Sequence, residues 1–290
     1  MKKIAVPDIR LDGRVVIVTG ADRGLGRGMS LGLARAGATV MLASPEMEGL
    51  KAVAAEIGSL GAGRALVQVV DITDFSSCRA LVRKTLAQTG RLDVLVNNAR
   101  RLHRGPGIPS HGNSLPVFET DPEIYRQTVQ VNVIGTFFMS RAALDHFREQ
   151  GKGKIINLTT SARHFYHRHD SPYGVTKAAL EASTQIWARD LEESGITVNS
   201  LLPGGSTDSD PDRPQKPGQV LLPVSIMCPP IIWLASELSD GVNGCRFVAK
   251  KWDASLPPAR AAEAAREEPV FTGQPLGTFH SKIKMERFSR

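Results

Sequence analysis

The stretch Arg14 to Gly37, RVVIVTGADRGLGRGMSLGLARAG, restricts the fold more than any other part of the chain. Val15, Val16, Ile17, Val18 and Thr19 form an apolar, β-branched run, too short for a helix and suited to a strand buried on both faces. Gly20, Gly24 and Gly26 follow; Leu25, Met29 and Leu33 then recur at helical spacing, and Gly37 stands where a C-cap is expected. Strand, glycine turn and helix together aim free backbone N–H groups and a positive dipole end at one point, which suits a pyrophosphate. Gly20 permits the tight turn, Gly24 lets the backbone approach a ligand, and Gly26 lets the helix pack closely on the strand. The spacing is G-x-x-x-G-x-G rather than G-x-G-x-x-G, and glycines at this spacing also serve ordinary turns.

The rest of the chain alternates in the same manner. Short apolar runs at 38–43, 64–70, 92–96, 154–160, 196–202 and 245–249 read as strands. Between them lie helical patterns: one from Ser44-Pro45 to about Ile57, one over 74–88, a long one opened by Asp121-Pro122, one opened by Ser171-Pro172, and one over 229–239. This order predicts an α/β fold, a doubly wound parallel sheet with helices on both faces. A single domain over 1–252 is expected, followed by a C-terminal extension over 253–290 that is partly helical, at 259–268, and otherwise loose. Residues 101–120 show no periodicity, and a loop of that length inside a domain is usually functional or disordered.

Composition excludes several classes. The apolar segments are short and broken by Gly, Pro or charge, so no membrane-spanning helix is expected, and Met1 to Arg10 does not read as a secretory signal. Cys78, Cys228 and Cys245 lie far apart without metal-ligand spacing, which fits free thiols in the cytoplasm. His164, His167 and His169 lack the framing of a known ligand set, so no metal is expected. The net charge of +7 is explained as well by a phosphorylated cofactor and an anionic substrate as by nucleic acid, and no long basic block supports the latter.

Tyr173 and Lys177 stand four residues apart near a helix start, on one face. A phenol is ordinarily too weak an acid for proton transfer at neutral pH, but an ammonium one turn away and a positively charged nicotinamide ring favour the phenolate. Tyr173 can then pass a proton to or from a substrate oxygen. Alone, Tyr-x-x-x-Lys is a common pattern on exposed helices. Its place after the fifth strand of a glycine-loop α/β domain gives it weight.

Taken together, Thr19 to Gly26, Asn97-Asn98-Ala99, Asn132-Val133-Ile134-Gly135-Thr136-Phe137, Tyr173 with Lys177, and Pro203-Gly204 resemble the short-chain dehydrogenase/reductase (SDR) family over roughly residues 11–250. The resemblance implies a Rossmann-type fold with about seven strands, nicotinamide-dependent redox chemistry, and a homotetramer or homodimer. It implies that Asn97 ties neighbouring strands beside the cofactor and that Asn132 is an active-site residue, although a mid-helix asparagine ordinarily faces solvent. It implies a catalytic hydroxyl 13 residues before the tyrosine, which is Thr160, with Ser161 one residue later also available. It places Asp71 and Ile72 at the adenine, Asn98 and Ala99 along the cofactor, and Pro203, Gly204 and Thr207 at the nicotinamide. Arg100 stands where the family has glycine.

Cofactor choice follows from charge. An NAD enzyme carries a carboxylate at the end of the second strand, and here that position is Ser44, which does not repel a 2′-phosphate. Arg23 supplies a cation able to reach one, so Gly20, Asp22, Arg23, Gly24, Leu25, Gly26 and Ser44 are expected to hold NADP(H). The expected function is reversible oxidoreduction of a small-molecule carbonyl or alcohol. A catalytically weak, dinucleotide-binding regulatory or scaffold protein is the alternative. Arg100, Arg101, His103 and Arg104 on one loop, with Arg163, His164, His167, Arg168 and His169 on another, predict a substrate with an anionic group.

Overall fold

The computed structural model describes residues 8–102, 116–209 and 218–271. Strand β1 (Val15–Thr19) is buried throughout, and the glycine turn leads directly into helix α1 (Gly24–Arg35). Then come β2 (Thr39–Ser44), α2 (Met47–Ser59), β3 (Arg64–Val69), α3 (Phe75–Thr89) and β4 (Val94–Asn97). The second half runs α4 (Pro122–Val129), α5 (Thr136–Gln150), β5 (Gly153–Leu158), α6 (Tyr173–Asp190), β6 (Ile196–Leu202), α7 (Cys228–Ala235), β7 (Arg246–Val248), α8 (Pro258–Ala265) and β8 (Arg266–Glu267).

The strands form one sheet in the order β3-β2-β1-β4-β5-β6-β7-β8. Each adjacent pair from β3 to β7 is parallel, and only β8 runs antiparallel against β7. The β3-to-β4 connection reverses the direction in which strands are added, so the chain diverges between β1 and β4. A crevice opens there, at the carboxyl ends of the strands. Because β1 is covered on both sides, its side chains divide between two cores: Val16 and Val18 with α1, α2 and α7, and Val15 and Ile17 with α3 and α5.

Several local expectations need correction. Ser44 is not the cap of α2; it ends β2, and its hydroxyl accepts the Glu46 N–H at 2.9 Å, so the helix starts at Met47. The long helix is interrupted by a π-helical turn, Gln130–Gly135, between α4 and α5, and Asn132 lies within it, fully buried. Strand β5 stops at Leu158, which leaves Thr160 on a loop. The sheet has eight strands rather than about seven, because part of the 253–290 extension folds back as α8 and the two-residue β8. The helix expected at 229–239 ends at Ala235, followed by a 3₁₀ turn at Glu237–Ser239. No helix among the described residues is long and apolar enough to cross a membrane.

Candidate active site

A cleft of about 440 Å³ lies at the switch point. One wall is the glycine turn, where Gly20 and Gly24 adopt φ of +63° and +54°, a region that side chains rarely enter. A Cβ on Gly26 would collide with the Gly20 carbonyl, which is the close helix–strand packing expected of the third glycine. Helix α1 begins at Gly24 with no side-chain cap and no acidic residue in its first turn, so its leading N–H groups remain available to an anion. A pyrophosphate fits this end of the cleft.

The opposite wall is set by hydrogen bonds between strands. Asn98 Nδ2 donates to the carbonyls of Thr19 and Gly20 at 2.8 and 3.0 Å, while Thr19 Oγ1 accepts from the N–H groups of Asn98 and Ala99. Asn97 Nδ2 donates to Asn157 Oδ1 on β5 and to Ser140 Oγ on α5, both at 2.9 Å, so the first asparagine does join adjacent strands. Of the expected cofactor residues, Gly20, Asp22, Arg23, Gly24, Leu25, Ser44, Asp71, Ile72, Asn98 and Ala99 line the cleft. Gly26 lies behind it. Pro203, Gly204 and Thr207 do not line it either, and the Thr207 hydroxyl is spent on Ser209 at 3.2 Å.

Tyr173 and Lys177 stand outside that cleft, on helix α6. Lys177 is buried, donates to the Leu158 carbonyl at 2.6 Å, and holds its ammonium 5.9 Å from the centre of the Tyr173 ring. Burial pushes the Lys177 amine down to about 7, and the guanidinium of Arg100, a cleft-lining residue, pushes the same way while Glu181 opposes. The ammonium expected beside Tyr173 therefore gives up its proton far more readily than an ordinary lysine. Since the folded value is depressed, the folded chain binds fewer protons than the unfolded one above about pH 7. The cost of burying Lys177 is thus full below that pH and relieved as pH rises.

Replacing Arg100 by glycine is expected to raise the Lys177 titration midpoint toward the ordinary lysine range, as read by NMR titration of the lysine ε-carbon. A midpoint that does not move would show that the guanidinium is screened from Lys177 by solvent.

Asn132 is buried and fully engaged. Its Oδ1 accepts the Arg101 N–H at 2.7 Å, and its Nδ2 donates to the Arg101 carbonyl and to Thr176 Oγ1, both at 3.1 Å. Thr176 Oγ1 in turn donates to the Tyr173 carbonyl at 2.8 Å. Asn132 therefore fixes the Arg101 backbone relative to the start of α6 and has no free donor. The π turn supplies the extra residue that places it there. Thr160 and Ser161 are half-buried, and neither hydroxyl is engaged among the described residues.

Three features of the site had little or no sequence signal. Glu46 lines the cleft two residues beyond the position counted for a ribose-binding carboxylate. Ser209 reaches it from the loop after β6 and sits against Gly24. Arg246, on β7, is fully buried against Glu181 of α6 and donates to the Thr160 carbonyl at 2.9 Å. Of the cations expected around a substrate, Arg100 and Arg101 line the cleft, whereas Arg163, His167 and Arg168 are exposed. His103 and Arg104 lie outside the described residues. All three cysteines are buried free thiols, and no His, Cys, Asp or Glu group among the described residues has a metal-ligand arrangement.

A Rossmann-type sheet with a phosphate-binding turn at its switch point defines a dinucleotide-binding α/β protein. Residues 14–218 match the short chain dehydrogenase family, and the chain belongs to that family. It is similar to a 2-dehydro-3-deoxy-D-gluconate 5-dehydrogenase of Escherichia coli, 32% identical over 81% of this chain and 92% of that one. Among solved structures it resembles a gluconate 5-dehydrogenase of Burkholderia cenocepacia in complex with NADP and tartrate, with 29% identity, a TM-score of 0.71, and coverage of 83% of this chain and 95% of that one. It also resembles a 3-ketoacyl-(acyl-carrier-protein) reductase of Brucella melitensis complexed with NADH, with 27% identity, a TM-score of 0.71, and coverage of 81% and 96%. The protein is an SDR oxidoreductase.

Proposed function

We propose that this protein is an NADP(H)-dependent oxidoreductase that interconverts a carbonyl and an alcohol, with Tyr173 as the proton donor and acceptor. The observation that carries this reading is the uncapped start of α1 at one end of the cleft, with Asn132 tying cleft-lining Arg101 to the start of α6, the helix that bears Tyr173 and Lys177. Gly20, Asp22, Arg23, Gly24, Leu25 and Gly26 hold the pyrophosphate and adenosine side, Asp71 and Ile72 the adenine, and Asn98, Ala99, Pro203, Gly204 and Thr207 the nicotinamide side. When bound, the nicotinamide supplies or accepts the hydride. Tyr173 moves the proton at the substrate oxygen, and the free hydroxyl of Thr160 or Ser161 donates to the same oxygen. Lys177 orients the ribose, and Asn132 acts by holding Arg101 and α6.

The catalytic unit is residues 1–252, and the extension braces it through β8. Arg100 and Arg101 favour a substrate with an anionic group. Phe137 on α5 and Ile186 on α6 are large apolar side chains left exposed, which supports a homodimer or homotetramer packed through those helices. Buried free thiols support a cytoplasmic setting. Turnover of a carbonyl panel with NADPH and with NADH tests the whole reading, and cofactor binding without consumption would refute it.

Arg23 is exposed at the cleft rim, with its Nε 3.6 Å from Asp22. Its replacement by alanine is expected to weaken NADPH roughly ten- to a hundredfold and NADH hardly at all, as for loss of a charge-assisted phosphate contact. Equal losses by calorimetry would exclude a phosphate-reading role. Glu46, a carboxylate on the same cleft, favours NAD(H) as the second reading, and the same titration distinguishes the two.

A further inference from the structure

His164 and Asp170 have no task in the proton and cofactor chemistry above, yet they are built onto the same loop and helix. The His164 Nδ1 lies 2.5 Å from Asp170 Oδ2. Asp170 is 8% exposed, whereas the His164 side chain is 39% exposed. A carboxylate only accepts, which assigns the hydrogen to Nδ1 and leaves Nε2 at the outer corner of the ring. Among the described residues nothing bonds to Nε2.

The pair is fixed to the catalytic residues at three points. The His164 N–H donates to the Ser161 carbonyl at 2.9 Å. The Asp170 carbonyl accepts from the Gly174 N–H at 2.6 Å, next to Tyr173. A Cβ on Gly174 would collide with the His164 carbonyl, so only glycine after Tyr173 allows the loop to lie this close. The imidazole meets the Tyr173 ring edge-on, with centroids 6.4 Å apart and planes at 79°. From behind, Phe165 stacks on Phe271 of the C-terminal extension, with centroids 6.3 Å apart and planes at 11°.

The geometry points to the Asp170–His164 pair as a specificity device that binds a hydroxyl on the carbon next to the reacting carbonyl, selecting α-hydroxycarbonyl substrates and, in the oxidative direction, vicinal diols. This rests on Tyr173 being the proton donor. No hydrogen bond joins the imidazole to Tyr173 among the described residues, so His164 stands beside the phenol rather than behind it in a proton chain. The imidazole centroid lies 6.4 Å from that of the Tyr173 ring, which is within reach of a substituent one carbon from a carbonyl bonded to the Tyr173 hydroxyl. A hydroxyl both donates and accepts, so it suits Nε2 whether or not that nitrogen carries a proton. Asp170 fixes the ring and acts through His164.

The test compares hydroxyacetone with butanone, which share a skeleton and differ by a hydroxyl in place of a methyl group. The full chain is assayed with NADPH and with NADH. The wild type is expected to prefer hydroxyacetone. His164→Ala is expected to lower kcat/KM for hydroxyacetone about tenfold, mainly through KM, while butanone is reduced as before, which also shows that the variant is folded. Asp170→Asn is expected to give a smaller loss with the same selectivity, and His164→Asn, which keeps an acceptor, to recover part of it. Equal losses for both ketones, or a wild type that prefers butanone, would overturn the inference and leave the oxidoreductase reading standing. Cofactor binding without turnover of these two ketones or of any member of the carbonyl panel, with either cofactor, would instead overturn that reading, and the inference with it.

Discussion

Tyr173→Phe is expected to keep cofactor binding while turnover falls by ~10²-fold or more, the scale of lost general acid catalysis. The substitution removes one hydroxyl and keeps the ring, so the edge-on contact with His164 and the position of the Lys177 ammonium against the ring both survive. Backbone contacts at this point are also untouched, because Thr176 bonds to the Tyr173 carbonyl and not to the side chain. The variant therefore separates chemistry from architecture. Titration with NADPH should match the wild type, while single-turnover reduction should be slow. Near-normal turnover in a variant that binds cofactor normally would remove Tyr173 from the role proposed for it.

How far the sequence carries can be seen residue by residue. The parallel sheet was legible because β1 and β4 are near-continuous apolar runs, as strands covered on both faces allow, whereas β5 and β6 are equally buried but carry Lys154, Asn157, Thr197, Asn199 and Ser200. The cleft was legible because it is made by backbone at glycines whose spacing a reader can count. Less legible were features fixed by contacts between distant segments. Helix propensity alone reads Asn132 as solvent-facing and only the family resemblance set it apart; it lies buried in the π turn, where it holds the Arg101 backbone. Glu46 belongs to no motif, and it lines the cleft just after β2, where the Ser44 hydroxyl accepts its N–H. Strand β8 is two residues long, and no periodicity can announce an element so short; its place depends on pairing with β7 and on the charges around Arg246.

Those charges support the last prediction. Arg246 and Glu181 are each about 1% exposed and ion-paired, with Ser200 Oγ donating to Glu181 Oε2 at 3.2 Å. The remaining guanidinium donors go to the Thr160 carbonyl and, at 3.3 Å, to Glu267 on β8, which Lys251 also holds at 2.7 Å. Both charges are out of water, so their attraction mainly offsets desolvation and the pair by itself adds little net stability. Removing one partner has a different consequence. Glu181→Ala strands a buried guanidinium and is expected to cost about 3–5 kcal/mol, read as a lower urea midpoint at unchanged slope. Replacing both residues, as Glu181→Leu with Arg246→Met, should restore most of that midpoint because the buried guanidinium is then gone and Glu267 keeps Lys251 as its partner. Turnover should not return with it. The double variant still lacks the donor that holds the Thr160 carbonyl, so the loop bearing the hydroxyl proposed for catalysis loses its anchor and β8 loses one of its contacts. A double variant as unstable as Glu181→Ala would show that the pair is worth more than its desolvation. One that regained full activity would show that Arg246 does not position Thr160.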